Sequence, residues 1–215
     1  MKLYDYLEDE YGYNEPIFSE DLNQNLDMNS NTLRVYLTRL YRAGKLNKVK
    51  DGIYFIPNPN SILKNPTLSV EKIIIKKYIN KETEVIGYES GIAFANRLKL
   101  TTQNPGVITI VTNEEKSNKR IVEFYKRRVA LKKPKVKINN RNYKVLQVLD
   151  LLNEFDRLSV EPIEVASKQI CQYLKGVKLD RNELESYLDQ YPIKTRAKIQ
   201  QTEVYDEITR GQRSF

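Results

Sequence analysis

The chain of 215 residues predicts an α+β fold in two parts, a small helical module closed by a β-hairpin and a larger mixed α/β domain. Three observations lead there. Before residue 45, apolar residues recur at helical spacing in three short segments, and a pair of β-prone runs joined by Asp51-Gly52 follows them. Next, "PNPNSILKNP" from Pro57 to Pro66 has three Pro and three Asn, the composition of an extended linker. Beyond it, helical patterns alternate with buried-strand runs such as Val107 to Val111. The expected division is therefore 1–58, a linker at 59–66, and an α+β C-terminal domain over 67–215.

In the first module, Leu3, Tyr4, Leu7 and Tyr11 share a helical face and Gly12 ends the helix. Ser19 is the expected N-cap of a second helix, "SEDLNQNL", with Glu20 and Asp21 beside the positive end of its dipole. Asn29 or Ser30 caps a third helix that runs to about Ala43 and stops at Gly44. At 100° per residue Leu33, Leu37 and Leu40 fall within roughly 60° of one another and form its buried stripe. Asn31, Arg34, Val35, Thr38, Arg39 and Arg42 lie on the opposite arc. "KLNKVK-DG-IYFI" is the hairpin, with both turn residues expected at positive φ; pairing Lys50 with Ile53 and Lys48 with Phe55 would put Lys and apolar residues on one face, which leaves the register open.

In the larger domain, "SVEKIIIKKYI" and "GYESGIAFANRLKL" are expected helices, and "KRIVEFYKRRVALKKPKVKINNRNYKV" is expected to give strands with a turn at Asn139 and Asn140. "LQVLDLLNEFDRL" returns to helix, and further helices are expected near 163–175, 180–190 and 193–208.

Composition narrows the function. No apolar run approaches the roughly 20 residues of a membrane span, and the acidic N-terminus lacks the features of a signal peptide, so the expectation is a cytoplasmic protein without a membrane partner. The single cysteine, Cys171, excludes an internal disulfide. With no histidine in the chain, Ser-His and Cys-His nucleophile pairs are excluded, and so are the common zinc sites. The serine of "GYESG" stands in the wrong place for a nucleophile elbow.

The formal charge is +8, and its distribution is more telling than its sum. Met1 to Asp27 sets Lys2 against eight acids, whereas Met28 to Lys50 has six bases and no acid. Lys116 to Lys144 adds twelve bases against Glu123 alone. Runs of this kind within structured segments point to a polyanion.

Helix, turn, helix and hairpin, with the last helix presenting Asn, Arg and Thr outward, is the pattern of a winged helix-turn-helix entering a DNA major groove. Asn31, Arg34, Thr38 and Arg39 are the expected base readers, because Arg pairs with guanine O6 and N7, Asn with adenine, and a Thr methyl meets the thymine methyl. Arg42, Lys45, Lys48 and Lys50 suit phosphate, which positions a protein without specifying sequence. Lys126, Arg127, Arg128, Lys132 and Lys133 extend the expected nucleic-acid surface.

Enzyme chemistry finds little support. Glu114, Glu115 and Lys116 form an isolated "EEK", but no Asp occurs between Gly52 and Leu149 to complete the metal site of a restriction-type nuclease. Glycine-rich nucleotide patterns are missing as well, so no catalytic residue, metal or cofactor is expected. A divergent metal-dependent nuclease stays as the lesser alternative. An RNA-binding or toxin-docking protein without sequence-specific DNA binding is the other.

Leu37, Leu40 and Gly44 at the helix end, the "DGIYFIP" hairpin and the turn from Leu98 through Gln103 to Pro105 together resemble the AbiEi-like antitoxins of bacterial type IV toxin-antitoxin systems. The resemblance covers about residues 10–160, and Lys99 stands where a Gly would bring the turn closer to the family form. It implies an antitoxin that represses its own operon by binding inverted repeats in the promoter. It also implies a C-terminal domain that counteracts a nucleotidyltransferase toxin without a stable complex, in phage defence by abortive infection. Such a protein is expected to be a monomer in solution or to pair on DNA.

Overall fold

In the computed structural model, residues 2–63 and 66–209 are described, and the chain is α+β. It divides into two compact units, Met1–Lys76 with Phe124–Lys126, and Lys77–Glu123 with Arg127–Phe215. This division comes after Lys76, later in the chain than the expected linker at 59–66, of which residues 64 and 65 lie outside the described residues.

The first unit begins with α1 (Leu3–Tyr11), β1 (Ile17–Phe18), α2 (Ser19–Asn25) and α3 (Ser30–Arg42), followed by β2 (Asn47–Lys50) and β3 (Ile53–Phe55). β3 is the middle strand of a three-stranded sheet, with β1 and β2 on either side. Leu7, Leu22, Leu33 and Leu37 from the helices meet Ile17, Tyr54 and Ile56 in one buried cluster, with Leu40 partly buried against it. The helical stripe on α3 thus faces the sheet as its spacing requires. Asn29 caps α3, its side-chain oxygen accepting from the Asn31 N–H at 2.9 Å.

Two local expectations are corrected. Ser19 is the first helical residue of α2 and Phe18 its N-cap, because the chain arrives directly from β1 and the Ser19 N–H donates to the Gly52 carbonyl at 2.9 Å. In the hairpin Lys50 does face Ile53, but Lys48 pairs with Tyr54 rather than Phe55, since a bulge between Lys48 and Lys50 takes up one residue. Of the two turn residues only Gly52 has positive φ, at 78°.

A Cβ built on Gly52 would stand 2.9 Å from the Ser19 Oγ. Gly52→Ala therefore meets both a left-handed backbone and a polar neighbour, at a cost of about 1–2 kcal/mol. A fall of that size in urea-derived stability is expected, and an unchanged midpoint would contradict the tight seating of the hairpin on α2.

α4 (Val70–Ile74) completes the described helices of the first unit and runs into a π-helical stretch, Ile75–Ile79. In the second unit β4 (Asn80–Lys81) and β5 (Glu84–Val85) form a small ribbon. β6 (Gly87–Ser90), α5 (Ile92–Arg97), β7 (Ile108–Thr112), β8 (Arg120–Phe124) and β9 (Arg127–Lys132) follow. The main sheet has the order β6-β7-β9-β8, with β6 antiparallel and β9 parallel to β7. Gly87–Ser90 is therefore strand rather than the start of a helix, because it pairs with Ile110–Thr112 and Thr109 across the sheet.

The chain ends in α6 (Tyr143–Asn153), α7 (Phe155–Leu158), α8 (Ile163–Leu174), α9 (Arg181–Leu188), α10 (Ile193–Gln200) and α11 (Val204–Thr209). The helix expected over 193–208 is thus broken in two. α6 is the apolar centre of this unit, with Val145, Leu146, Val148, Leu149, Leu151 and Leu152 all buried, and it packs on β6.

Two polar residues of α6 are tied into that core. Gln147 donates to the Glu89 carbonyl and accepts from the Tyr173 hydroxyl, both at 2.5 Å. The Asp150 carboxylate accepts from the hydroxyls of Tyr88 and Tyr191, each at 2.9 Å. Burial raises the Asp150 pKa, against these two hydrogen bonds and the charges of Lys132 and Lys135, which lower it. A carboxyl whose folded pKa is raised contributes stability below its unfolded value of about 3.9, and that contribution is lost as pH rises through the folded value. Asp150→Asn keeps the shape and a partner for each hydroxyl. It is expected to be at least as stable as the wild type at pH 7 and to fall behind it as pH is lowered toward about 4; the opposite trend in paired denaturation curves would contradict this assignment.

Candidate nucleic-acid interface

The outer face of α3 and the β2–β3 turn enclose a concavity of about 520 Å³ in the first unit. Asn31, Arg34 and Thr38 form its α3 wall, and Lys48, Asp51 and Gly52 form the turn side. Helix periodicity explains the first group, since residues three and four apart stand on one face. The bulged hairpin supplies the second.

Arg34 is exposed. Its charge, with those of Lys48 and Lys50, helps to lower the pKa of Asp51, for which the hydrogen bond from Lys48 is the first cause. The Lys48 ammonium donates to Asp51 Oδ1 at 2.5 Å, and the same bond raises the Lys48 pKa. Such an exposed pair contributes little to stability. Lys48 therefore remains suited to phosphate, but with an internal competitor in Asp51.

The other expected contacts differ in their surroundings. Thr38 donates its hydroxyl proton to the Arg34 carbonyl at 2.8 Å, which leaves its methyl and oxygen lone pairs for a base. Arg39 does not line the concavity, and its guanidinium stands 5.9 Å from the centre of the Tyr36 ring. Lys45 has its ammonium 4.8 Å from the centre of the Tyr4 ring on α1. Arg42 and Lys50 are exposed.

Asn23, Ser30 and Tyr54 also line the groove. Ser30 lay in view as a possible cap, but Asn23 and Tyr54 carried no sequence signal, because only the packing of α2 and β3 brings them to α3.

The basic residues of the second expected surface divide between the two units. Lys126 belongs to the first unit, within a β8–β9 turn whose Tyr125 and Lys126 both have positive φ, at 50° and 81°. Arg127, Arg128, Lys132 and Lys133 belong to the second. Arg127, Arg128 and Lys133 are exposed, whereas Lys132 is partly covered and pairs with Glu154 at 3.4 Å.

The "EEK" stretch has a structural occupation. Glu115 is buried, and its carboxylate accepts from the Ser117 N–H at 2.9 Å, the Ser117 hydroxyl at 2.7 Å and Arg120 Nε at 2.7 Å. Burial raises its pKa, but the Ser117 and Arg120 interactions outweigh burial and bring it to about 2. No group of three or more potential metal ligands occurs among the described residues. No helix among them is long and apolar enough to cross a membrane.

The chain matches a family of unknown function (DUF6088) over residues 17–182, and it belongs to that family. No curated protein matches it.

Proposed function

For a member of that family, we propose a regulator that binds duplex DNA through a winged helix-turn-helix, with α2 and α3 as the helix pair and β2–β3 as the wing. The observation that carries this reading is the convergence of Asn31, Arg34 and Thr38 with Lys48 on one groove beside α3. A 13-residue helix with its apolar stripe in the core and these side chains outward is suited to a major groove. Arg34, Asn31 and Thr38 read bases, Arg39 contacts DNA from the flank held by Tyr36, and Arg42, Lys45, Lys48 and Lys50 hold phosphates.

The motif resemblance extends the proposal to biology. The chain acts as an antitoxin of a type IV system, represses its own operon through inverted repeats, and counteracts a nucleotidyltransferase toxin through its second unit without a stable complex. A reporter driven by the DNA upstream of its own gene tests the regulatory half. Wild-type protein is expected to repress it, and Arg34→Ala to release it. Equal expression with and without wild-type protein would contradict autoregulation. Co-expression with the product of the adjacent gene tests the other half, with restored growth expected.

A further inference from the structure

We infer that the second unit carries a separate site for single-stranded nucleic acid, formed by two adjoining basic clefts beside α6 and α8 and marked by Lys99. The first cleft encloses about 400 Å³, and Arg141, Lys144, Lys175 and Lys178 line it with no carboxylate in its wall. Between the last two, Gly176 has φ 83°, and the Val177 N–H returns to the Leu174 carbonyl at 2.8 Å, so a tight turn sets Lys175 and Lys178 on either side of it. Arg141 has a contact with Glu183, at 3.5 Å.

The second cleft, of about 490 Å³, has Leu98 and Tyr173 as apolar lining and Arg97, Lys99 and Lys168 as cations. Arg97 pairs with Glu89, whereas Lys99 and Lys168 have no ion pair among the described residues. The clefts adjoin at one contact, where the Lys144 ammonium of the first stands 5.2 Å from the centre of the Tyr173 ring of the second. Gln169, in the wall of the second, has a buried side-chain oxygen with no hydrogen-bond partner.

Lys99 is the telling residue. It has φ 61°, its N–H held by the Asn96 carbonyl at 2.8 Å, in the left-handed region that a residue with a Cβ enters at a cost. Glycine would take this position without strain. A lysine in this strained conformation at the rim of a cationic cleft points to use of its charge. Each cleft has room for about one nucleotide unit, and an apolar lining flanked by cations suits an unpaired base and its phosphates. A duplex hides its bases from such a cleft, which selects the single strand.

The test uses the full chain with a labelled 12-nucleotide RNA, the same sequence as single-stranded DNA, duplex DNA, and adenosine monophosphate as competitor. Lys99→Gly is expected to raise the denaturation midpoint while weakening single-strand binding about 3- to 10-fold. Lys175→Glu with Lys178→Glu is expected to weaken it at least 10-fold and to lower the salt slope by about 1.4, at about 0.7 per phosphate contact. Both are expected to leave affinity for duplex DNA within 2-fold. A control with equal charge reversal, Lys81→Glu with Lys194→Glu, is expected to retain single-strand binding. Lys99→Gly that stabilises without weakening binding would overturn the inference, as would equal losses in the control. Full competition by the mononucleotide at its own modest concentration would overturn the polynucleotide assignment. Failure of duplex binding alone bears on the winged-helix proposal and leaves this site standing.

Discussion

Gly87→Ala is expected to destabilise the second unit by about 3 kcal/mol or more, the upper range for overpacking. Gly87 begins β6, opposite Thr112 on β7. A Cβ there would lie within the contact distance of the Tyr78 carbonyl oxygen, 2.8 Å from that of Val111 and 3.1 Å from the Thr112 Cβ. Two of these neighbours are backbone, fixed by the sheet and by the π-helical stretch Ile75–Ile79, so neither moves cheaply. The Ile86 N–H, one residue earlier, donates to the Ile79 carbonyl at 2.7 Å and holds the same approach closed. Gly106→Ala is the matched control, because its Cβ would meet nothing within 4 Å. Urea titration should find Gly106→Ala within about 0.5 kcal/mol of wild type. Equal stability of the two variants would contradict the packing of β6 against Tyr78.

The second large effect concerns DNA. Arg34→Ala is expected to weaken specific binding by about 1–3 kcal/mol, roughly 5- to 150-fold, and to affect random DNA much less. The reason is position. Arg34 lines the groove with Asn31 and Thr38, whereas Arg39 stands outside it over Tyr36. Arg39→Ala should therefore cost less than Arg34→Ala, and its loss should fall more evenly on specific and random sequences. Anisotropy titrations of the two variants rank them, and a larger specific loss for Arg39→Ala would place base recognition on the other flank of α3.

Much of the first unit was legible because local signals and packing agree there. Asn29 caps α3, Gly12 and Gly44 follow helix ends at positive φ, and Leu33 and Leu37 are buried as their spacing requires. β1 escaped notice because two residues carry no periodicity, and its presence is decided by pairing with β3. The same strand displaced Ser19 from the cap. The hairpin was legible from Asp51-Gly52, but its bulge was not, since nothing local to Val49 distinguishes a paired residue from an extra one.

At the candidate site, the sequence supplied the arc of α3 but could not divide it. Which flank meets the hairpin depends on how α3 rests on the sheet, and that contact separates Arg34 from Arg39. In the second unit, a run of bases looked continuous along the chain, yet Lys132 turns to Glu154 and Glu115 is held by Arg120. Charge counted along a strand does not say which side chains share a face.

The central claim is sequence-specific recognition of duplex DNA through α3. Fluorescence anisotropy with the DNA upstream of the gene, against random DNA of equal length and across several salt concentrations, tests it most directly. The predicted result is a preference for the upstream DNA that persists at physiological salt and shrinks in Arg34→Ala. Equal affinity for both DNAs, falling steeply with salt, would mean that the protein meets only phosphate and would contradict base reading by α3.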